Sequence, residues 1–100
     1  MSIVKDIIKE EYDRLISLLN DYNEDINKLP KGSISEKKIK NNFYYYLAYR
    51  KKDRVIFEYL GKKNSDKYIE IKKGLSERRK IKSEIDKIKQ NIKEIEKYIK

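Results

Sequence analysis

The sequence contains neither cysteine nor histidine. Without cysteine the chain has no disulfides and no thiolate metal sites, and without histidine it lacks the commonest metal ligand and general base. Catalysis by a serine–histidine or cysteine–histidine pair is therefore excluded. The acidic residues are interleaved with lysines, so a carboxylate-only metal site is not indicated. We expect a protein that is not an enzyme, with no cofactor, no metal and no small-molecule substrate.

Long apolar runs are also missing. No run approaches the roughly 20 residues of a membrane span, and the first 19 residues carry charges too densely for the core of a signal peptide. A chain of 100 residues has the length of a single domain and leaves little room for an enclosed pocket. We expect one domain over residues 1–100, in the cytoplasm and without a membrane partner.

Positive charge is abundant, with 26 basic and 17 acidic residues and a net charge of +9. The excess is concentrated in the middle: residues 31–64 hold ten basic and three acidic side chains, whereas residues 1–30 hold four and seven. Such a field attracts phosphate polyanions or acidic protein surfaces. An AT-rich genome would also enrich lysine, but that explanation accounts less well for the concentration in the middle.

The first segment has apolar residues at alternating intervals of four and three, which is the heptad pattern of a coiled coil. It predicts a helix over residues 2–29 that ends before Pro30, because the residue preceding a proline is disfavoured in the α region. The last segment repeats the pattern with isoleucine and predicts a helix over residues 65–100, capped by Ser65. Near Gly74 the phase slips, which indicates a kink or stutter, or a restart at Ser76.

Between the helices the apolar period changes to two, which predicts a β-hairpin or a short three-stranded meander over residues 33–62. If Lys52-Asp53 forms the turn, Tyr49 faces Ile56 and Leu47 faces Glu58. A slip by one residue would exchange the two faces of the sheet. Residues 34–40, followed by an Asn41-Asn42 turn, could add an edge strand. If Lys52-Asp53 is the turn, the face opposite to Tyr49 and Leu47 carries Tyr44, Tyr46, Phe57 and Tyr59.

Together these patterns predict an α+β fold that is mostly α, with two long helices in an antiparallel helical hairpin joined by the β-unit. The second helix is the longer one, so part of its isoleucine seam would stay uncovered, which favours a homodimer or a partner helix. The residues predicted to pack the helices or the dimer are Leu15, Leu19, Tyr22, Ile26, Ile81, Ile85, Ile88, Ile92, Ile95 and Ile99.

Basic residues interleaved with aromatic ones form the candidate site. Lys and Arg can neutralise phosphates, a two-stranded ribbon fits a major groove, and tyrosine rings can stack on unpaired bases. Alternatively, the tyrosines are core-covering strand residues, the edge lysines prevent aggregation, and the helical arginines belong to a solvated face. The candidate contact residues for nucleic acid or another partner are Lys37, Lys38, Lys40, Tyr44, Tyr46, Arg50, Lys51, Lys52, Arg54, Lys62, Lys63, Arg78 and Arg79.

Several short stretches carry a resemblance: Leu29-Pro30-Lys31-Gly32-Ser33, Tyr44-Tyr45-Tyr46-Leu47 with Tyr49-Arg50, and Tyr59-Leu60-Gly61-Lys62-Lys63. They resemble small bacterial and archaeal proteins of phage or mobile-element type, in which such a hairpin precedes a charged helix. The hairpin is also similar to N-terminal segments of some transposases, although Lys51-Lys52-Asp53 replaces their usual glycine-rich turn. The resemblance implies a DNA-associated setting, and it carries over no catalytic residue.

The leading hypothesis is a non-catalytic nucleic-acid-binding accessory protein whose basic hairpin contacts phosphates while its helices dimerise. One alternative is a small anti-defence inhibitor, anti-CRISPR-like, that binds a host nucleic-acid-processing complex. A second alternative is a coiled-coil adaptor or antitoxin-like partner, in which the isoleucine seam is the functional surface.

Overall fold

A computed structural model describes residues 3–99 and contains two helices joined by a three-stranded antiparallel sheet. This confirms the predicted fold class, α+β and mostly α, with a meander rather than a single hairpin. The bounds in chain order are α1 Ile3–Asn27, β1 Ser33–Ile39, β2 Asn42–Lys51, β3 Arg54–Gly61 and α2 Asp66–Ile99.

Helix α1 ends at Asn27, two residues before the predicted end. Lys28 donates its amide to the Asp25 carbonyl at 3.2 Å, which is the tighter bonding of a final helical turn. Pro30 then disfavours helical geometry at Leu29. The predicted N-terminal residue of α1, Ser2, and the predicted last residue of α2, Lys100, lie outside the described residues.

The chain groups into two compact units, of which the first combines α1 with the part of α2 from Lys80 onward. Leu15, Ile88 and Ile92 form its buried core, at 3%, 5% and 8% exposure. The start of α1 lies beside the end of α2, since one groove is lined by both Lys5 and Tyr98, so the two helical segments run antiparallel. The half-buried residues around this core are Tyr12, Ile16, Leu18, Leu19, Tyr22 and Ile95.

The other predicted packing residues differ in how well they are covered. Ile85 is buried, Ile26 and Ile81 are half-buried, and Ile99 is exposed at the end of α2. Of the predicted isoleucine seam, the middle residues Ile85, Ile88 and Ile92 are buried within one chain, and the exposed part is Ile99 at the end. The extra length of α2 instead lies upstream, where the helix packs on the sheet.

The second unit spans Leu29–Arg79 and contains the sheet and the first part of α2. The strand order is β1-β2-β3, and Tyr49 pairs with Ile56 and Leu47 with Glu58, as predicted for a Lys52-Asp53 turn. Between β1 and β2 the turn is Lys40-Asn41 rather than the predicted Asn41-Asn42, since Ile39 pairs with Asn42. Both turn positions keep each side chain on the same face, so the apolar pattern did not distinguish them.

One face of the sheet is covered by α2. Tyr45, Leu47 and Leu60 are buried there against Tyr68 and Leu75 of the helix. Ser65 caps the helix as predicted, because its Oγ accepts a hydrogen bond from the Tyr68 amide at 3.2 Å and donates one to the Leu60 carbonyl at 2.8 Å. The half-buried residues packed on this core are Ile34, Tyr49 and Ile71.

Helix α2 continues through Gly74 without restarting at Ser76. Pro30 packs directly on Gly74, where a Cβ would lie 2.5 Å from Pro30 Cγ. Gly74, where the apolar spacing of α2 is interrupted, is therefore the position at which the segment before β1 packs closely on the helix. One turn later, Arg78 donates a hydrogen bond to the Leu29 carbonyl at 3.4 Å, so a basic residue occupies the helix face that isoleucines occupy downstream.

No helix within residues 3–99 is long and apolar enough to cross a membrane.

Candidate nucleic-acid interface

The candidate site is the sheet face that points away from α2, here called the open face. Side chains alternate along a strand, and directly paired residues share a face, so the register assigns every member. Its outer positions are well exposed: Phe57 is 60% and Tyr59 50% accessible. By this register the open face consists of Ser33, Ser35, Lys37 and Ile39 of β1, Asn42, Tyr44, Tyr46, Ala48 and Arg50 of β2, and Val55, Phe57 and Tyr59 of β3.

Four aromatic side chains lie on the open face. The ring centroids of Tyr46 and Tyr59 are 5.4 Å apart with planes inclined at 56°, and those of Tyr44 and Tyr59 are 6.3 Å apart at 44°. The rings are tilted against one another rather than stacked flat, so they pack together without covering each other's faces. Phe57 stands opposite Ala48, whose small side chain leaves space beside the ring.

The acidic residues of the three strands both lie on the face opposite to the open face. Lys37 and Arg50 lie on the open face, which carries no Asp or Glu. Glu36 and Glu58 project toward the helix-covered face. Glu58 forms a salt bridge with Lys67 of α2 at 3.0 Å. By register, the open face therefore carries the charges of Lys37 and Arg50 without an acidic side chain of its own.

Glu36 is held on the covered face by Tyr45. The Tyr45 hydroxyl donates a hydrogen bond to Glu36 Oε2 at 2.9 Å, and the Tyr45 ring packs against Tyr68 with centroids 4.8 Å apart. The hydrogen bond to Glu36, followed by burial and by the charge of that carboxylate, raises the pKa of the Tyr45 phenol. Tyr45 is thus a core residue that binds an acid, unlike the neighbouring Tyr44 and Tyr46.

The two turns place lysines at opposite ends of the sheet. Lys40 and Lys52 are the first residues of their turns and have φ values of 57° and 56°, in the left-handed region that favours glycine. Lys51 pairs with Arg54 beside the second turn, so three basic side chains surround it with Asp53. A lysine at such a position costs backbone energy, and a functional use of its charge is one reason to tolerate that cost.

The remaining candidate residues are more dispersed. Lys38 belongs to the covered side of β1, where its Nζ lies 5.6 Å from the Phe43 ring centroid. Lys62 and Lys63 are exposed in the loop after β3. Arg78 contacts the Leu29 carbonyl, and Arg79 is exposed on α2. The structure therefore unites Lys37, Tyr44, Tyr46 and Arg50 on one face and leaves the others at its ends or away from it.

Phe57 and Tyr59 were missed as site residues, although the predicted register already placed them on this face. The signal was available in the Lys52-Asp53 turn, which fixes their partners as Ala48 and Tyr46. Two shallow grooves cross the face, of about 330 Å³ and 340 Å³. Tyr46 lines both, Tyr59 lines the first, and Phe57 lines the second together with Glu36 of the edge strand.

Within residues 3–99, no group of three acidic side chains is placed so that it could hold a metal ion. The chemistry available on the open face is therefore π-stacking, hydrogen bonding by tyrosine hydroxyls and attraction of anions by Lys37 and Arg50.

Comparison with known protein families gives one result for the greater part of the chain. Residues 4–70 match a family described as Domain of unknown function (DUF6788). The chain belongs to the DUF6788 family. The matched range contains nearly all of α1, the three strands and the first turn of α2, so the whole open face lies within the DUF6788 region. No curated protein and no solved structure shows a significant match to the chain.

Proposed function

We propose that this DUF6788 protein is a non-catalytic nucleic-acid-binding accessory protein that uses the open face of its sheet. The observation that supports this most strongly is the composition of that face. Four aromatic side chains and two basic residues share it with no acidic side chain, while Glu36 and Glu58 lie on the covered face. A basic surface with accessible rings provides both the phosphate attraction and the base contact that nucleic-acid binding needs.

The basic residues outside the face extend the positive field. Lys40 lies at one end of the sheet, and Lys51, Lys52 and Arg54 lie at the other. These side chains would contact the backbone of a nucleic acid that crosses the face, and such contacts position a ligand without reading its sequence. A phage or mobile-element setting is part of this proposal and derives from the sequence resemblance, whereas the cytoplasmic setting derives from the short apolar runs of the sequence.

A homodimer is the second part of the proposal, and the exposed end of the helical unit supports it. Ile3, Val4 and Ile7 are 76%, 63% and 58% accessible at the start of α1, and Tyr98 is 69% accessible near the end of α2. A groove of about 390 Å³ between the start of α1 and the end of α2, which Ile3, Val4 and Ile7 do not line, contains two lysines and two aspartates. A second copy that packs on Ile3, Val4 and Ile7 would cover these apolar side chains. The charged residues of the groove are Lys5, Asp6, Lys9 and Asp13.

The nucleic-acid function is tested by removing charge from the open face. In Lys37→Gln with Arg50→Gln, the affinity for a labelled single-stranded or duplex oligonucleotide should fall about tenfold or more at low salt. The slope of log affinity against log salt should become shallower by about 0.7 per lost contact on a single strand or about 0.9 on a duplex.

The matched control is Lys89→Gln with Lys93→Gln, which removes the same charge from exposed positions of α2. This variant should retain most of the affinity. Equal losses in the two variants would mean that net charge alone drives binding. If the unaltered protein binds no nucleic acid even at low salt, the proposal fails, and the face would be examined as an inhibitor surface for a nucleic-acid-processing protein.

A further inference from the structure

We infer that the open face selects single-stranded nucleic acid by stacking unpaired bases on Tyr44, Tyr46, Phe57 and Tyr59. This inference rests on the proposed function and names its ligand class. Ring faces are useful to a ligand only if its bases are exposed, and in a duplex the base faces are already stacked on each other. A duplex would meet this surface through its backbone alone.

The accessibility of the rings supports stacking over a purely structural role. Side chains that cover a sheet's core become buried, as Tyr45 is at 7%. On the open face Tyr59 and Phe57 remain 50% and 60% accessible. Tyr44 and Tyr46 are half-buried because they pack against Tyr59 from the side, which holds their planes in place. Fixed, accessible rings lose little side-chain entropy when a base stacks on them.

The basic residues bracket the rings rather than covering them. Lys37 pairs with Tyr44 near one end of the face, and Arg50 lies six residues farther along β2. At about 3.3 Å per residue, Arg50 is about 20 Å from the level of Tyr44. A short strand that runs along β2 would therefore meet a basic residue at each end and aromatic rings between them, with Ala48 leaving room beside Phe57.

The face is also one strand wider than the two-stranded ribbon that is typical of major-groove binding. A two-stranded ribbon fits a major groove about 12 Å wide. Here the face has three strands about 4.8 Å apart, and Lys37 and Phe57 project from its two outer strands. The sheet presents a platform rather than a ribbon, which suits a ligand lying across it.

The inference is tested with three labelled probes of equal length: oligo(dT), the same strand with abasic sites in place of the bases, and a mixed-sequence duplex. The unaltered protein should bind oligo(dT) at least about tenfold tighter than the abasic strand, because each stacked base contributes a factor of about five or more. In Tyr59→Leu and in Phe57→Leu, affinity for oligo(dT) should fall at least about fivefold, with an unchanged salt slope. Phe43→Leu removes a ring that is 44% exposed on the other face of β2 and should leave both values unchanged.

The chain contains no tryptophan, so tyrosine emission gives a second readout on the unaltered protein. Stacking should quench it with oligo(dT) and not with the abasic strand. Equal affinity for the abasic and oligo(dT) strands, or a preference for duplex, would overturn the inference while leaving the nucleic-acid function intact. Failure to bind any of the probes would overturn both. Thermal unfolding of each leucine variant separates loss of stacking from loss of fold.

Discussion

Pro30 packs on Gly74 so closely that a Cβ on the glycine would lie 2.5 Å from Pro30 Cγ and 2.6 Å from its Cδ. In an open helix, replacing glycine by alanine stabilises a protein by about 1 kcal/mol. Here the added methyl group meets a rigid ring, so Gly74→Ala should instead destabilise the fold by about 1–3 kcal/mol. Denaturant unfolding measures the difference.

The double variant Pro30→Ala with Gly74→Ala provides the control for that prediction. Removing the ring makes room for the methyl group, so the two changes should be strongly non-additive. Additive effects, or a Gly74→Ala protein more stable than the original, would show that the chain does not cross α2 at this point.

Tyr45 and Glu36 predict a specific pH dependence. The folded protein holds the phenol proton more tightly than the unfolded chain does, because the carboxylate accepts its hydrogen bond and raises the pKa. The resulting stability is complete below the unfolded pKa near 10 and is lost as the pH rises through the folded pKa. Tyr45→Phe should therefore lower the melting temperature most at about pH 8 and progressively less toward about pH 11. A difference that stays constant over this range would contradict the assignment.

Lys52 should reveal a conflict between stability and binding. Its φ of 56° is strained for a residue with a side chain, so Lys52→Gly should stabilise the protein by about 0.5–1 kcal/mol. The same change removes a charge beside the open face and should weaken oligonucleotide binding. Lys51→Gly removes the same charge from a regular strand position and should destabilise by about 0.5–1 kcal/mol. If both variants change stability in the same direction, the turn geometry is wrong.

Self-association is predicted to depend on the exposed start of α1. Ile7→Glu should convert the dimer to a monomer in light scattering, because it places a charge in the apolar contact while leaving the buried core intact. Ile69→Glu, at a 49% exposed position elsewhere, is the control and should not change the mass. Ile88 and Ile92 are unsuitable for this test, since both are buried and their replacement by aspartate would unfold the helical unit. A monomeric unaltered protein would refute the proposed dimer.

The helices and strands were predictable because their apolar periods differ, and the Lys52-Asp53 turn even specified which face carries Tyr46. The position of the turn between β1 and β2 was not predictable. A shift of the strand pairing by two residues leaves every side chain on the same face of the sheet. The packing of the first part of α2 on the sheet was also not predictable. The isoleucine pattern of residues 81–99 indicated a helix–helix contact, but nothing local showed that Tyr68 and Leu75 pack on a sheet.

The sequence indicated the segment that contains the candidate site but not all of the residues that form it. Composition identified a basic, tyrosine-rich segment, and the structure then divided it by strand parity. Tyr45 became a core residue that binds Glu36, while Phe57 and Tyr59 became exposed members of the open face. Arg78 could not be assigned from sequence, because its contact with the Leu29 carbonyl joins residues 49 positions apart.

The most direct test of the central claim is the affinity of the unaltered protein for labelled single-stranded DNA, RNA and duplex DNA across a salt series. The account predicts binding at low salt to at least one of the single strands that is tighter than binding to the duplex. It also predicts that log affinity falls with log salt concentration with a slope of about −1.4 or steeper, from two phosphate contacts at about 0.7 each. Absence of binding to all three ligands at low salt would contradict it.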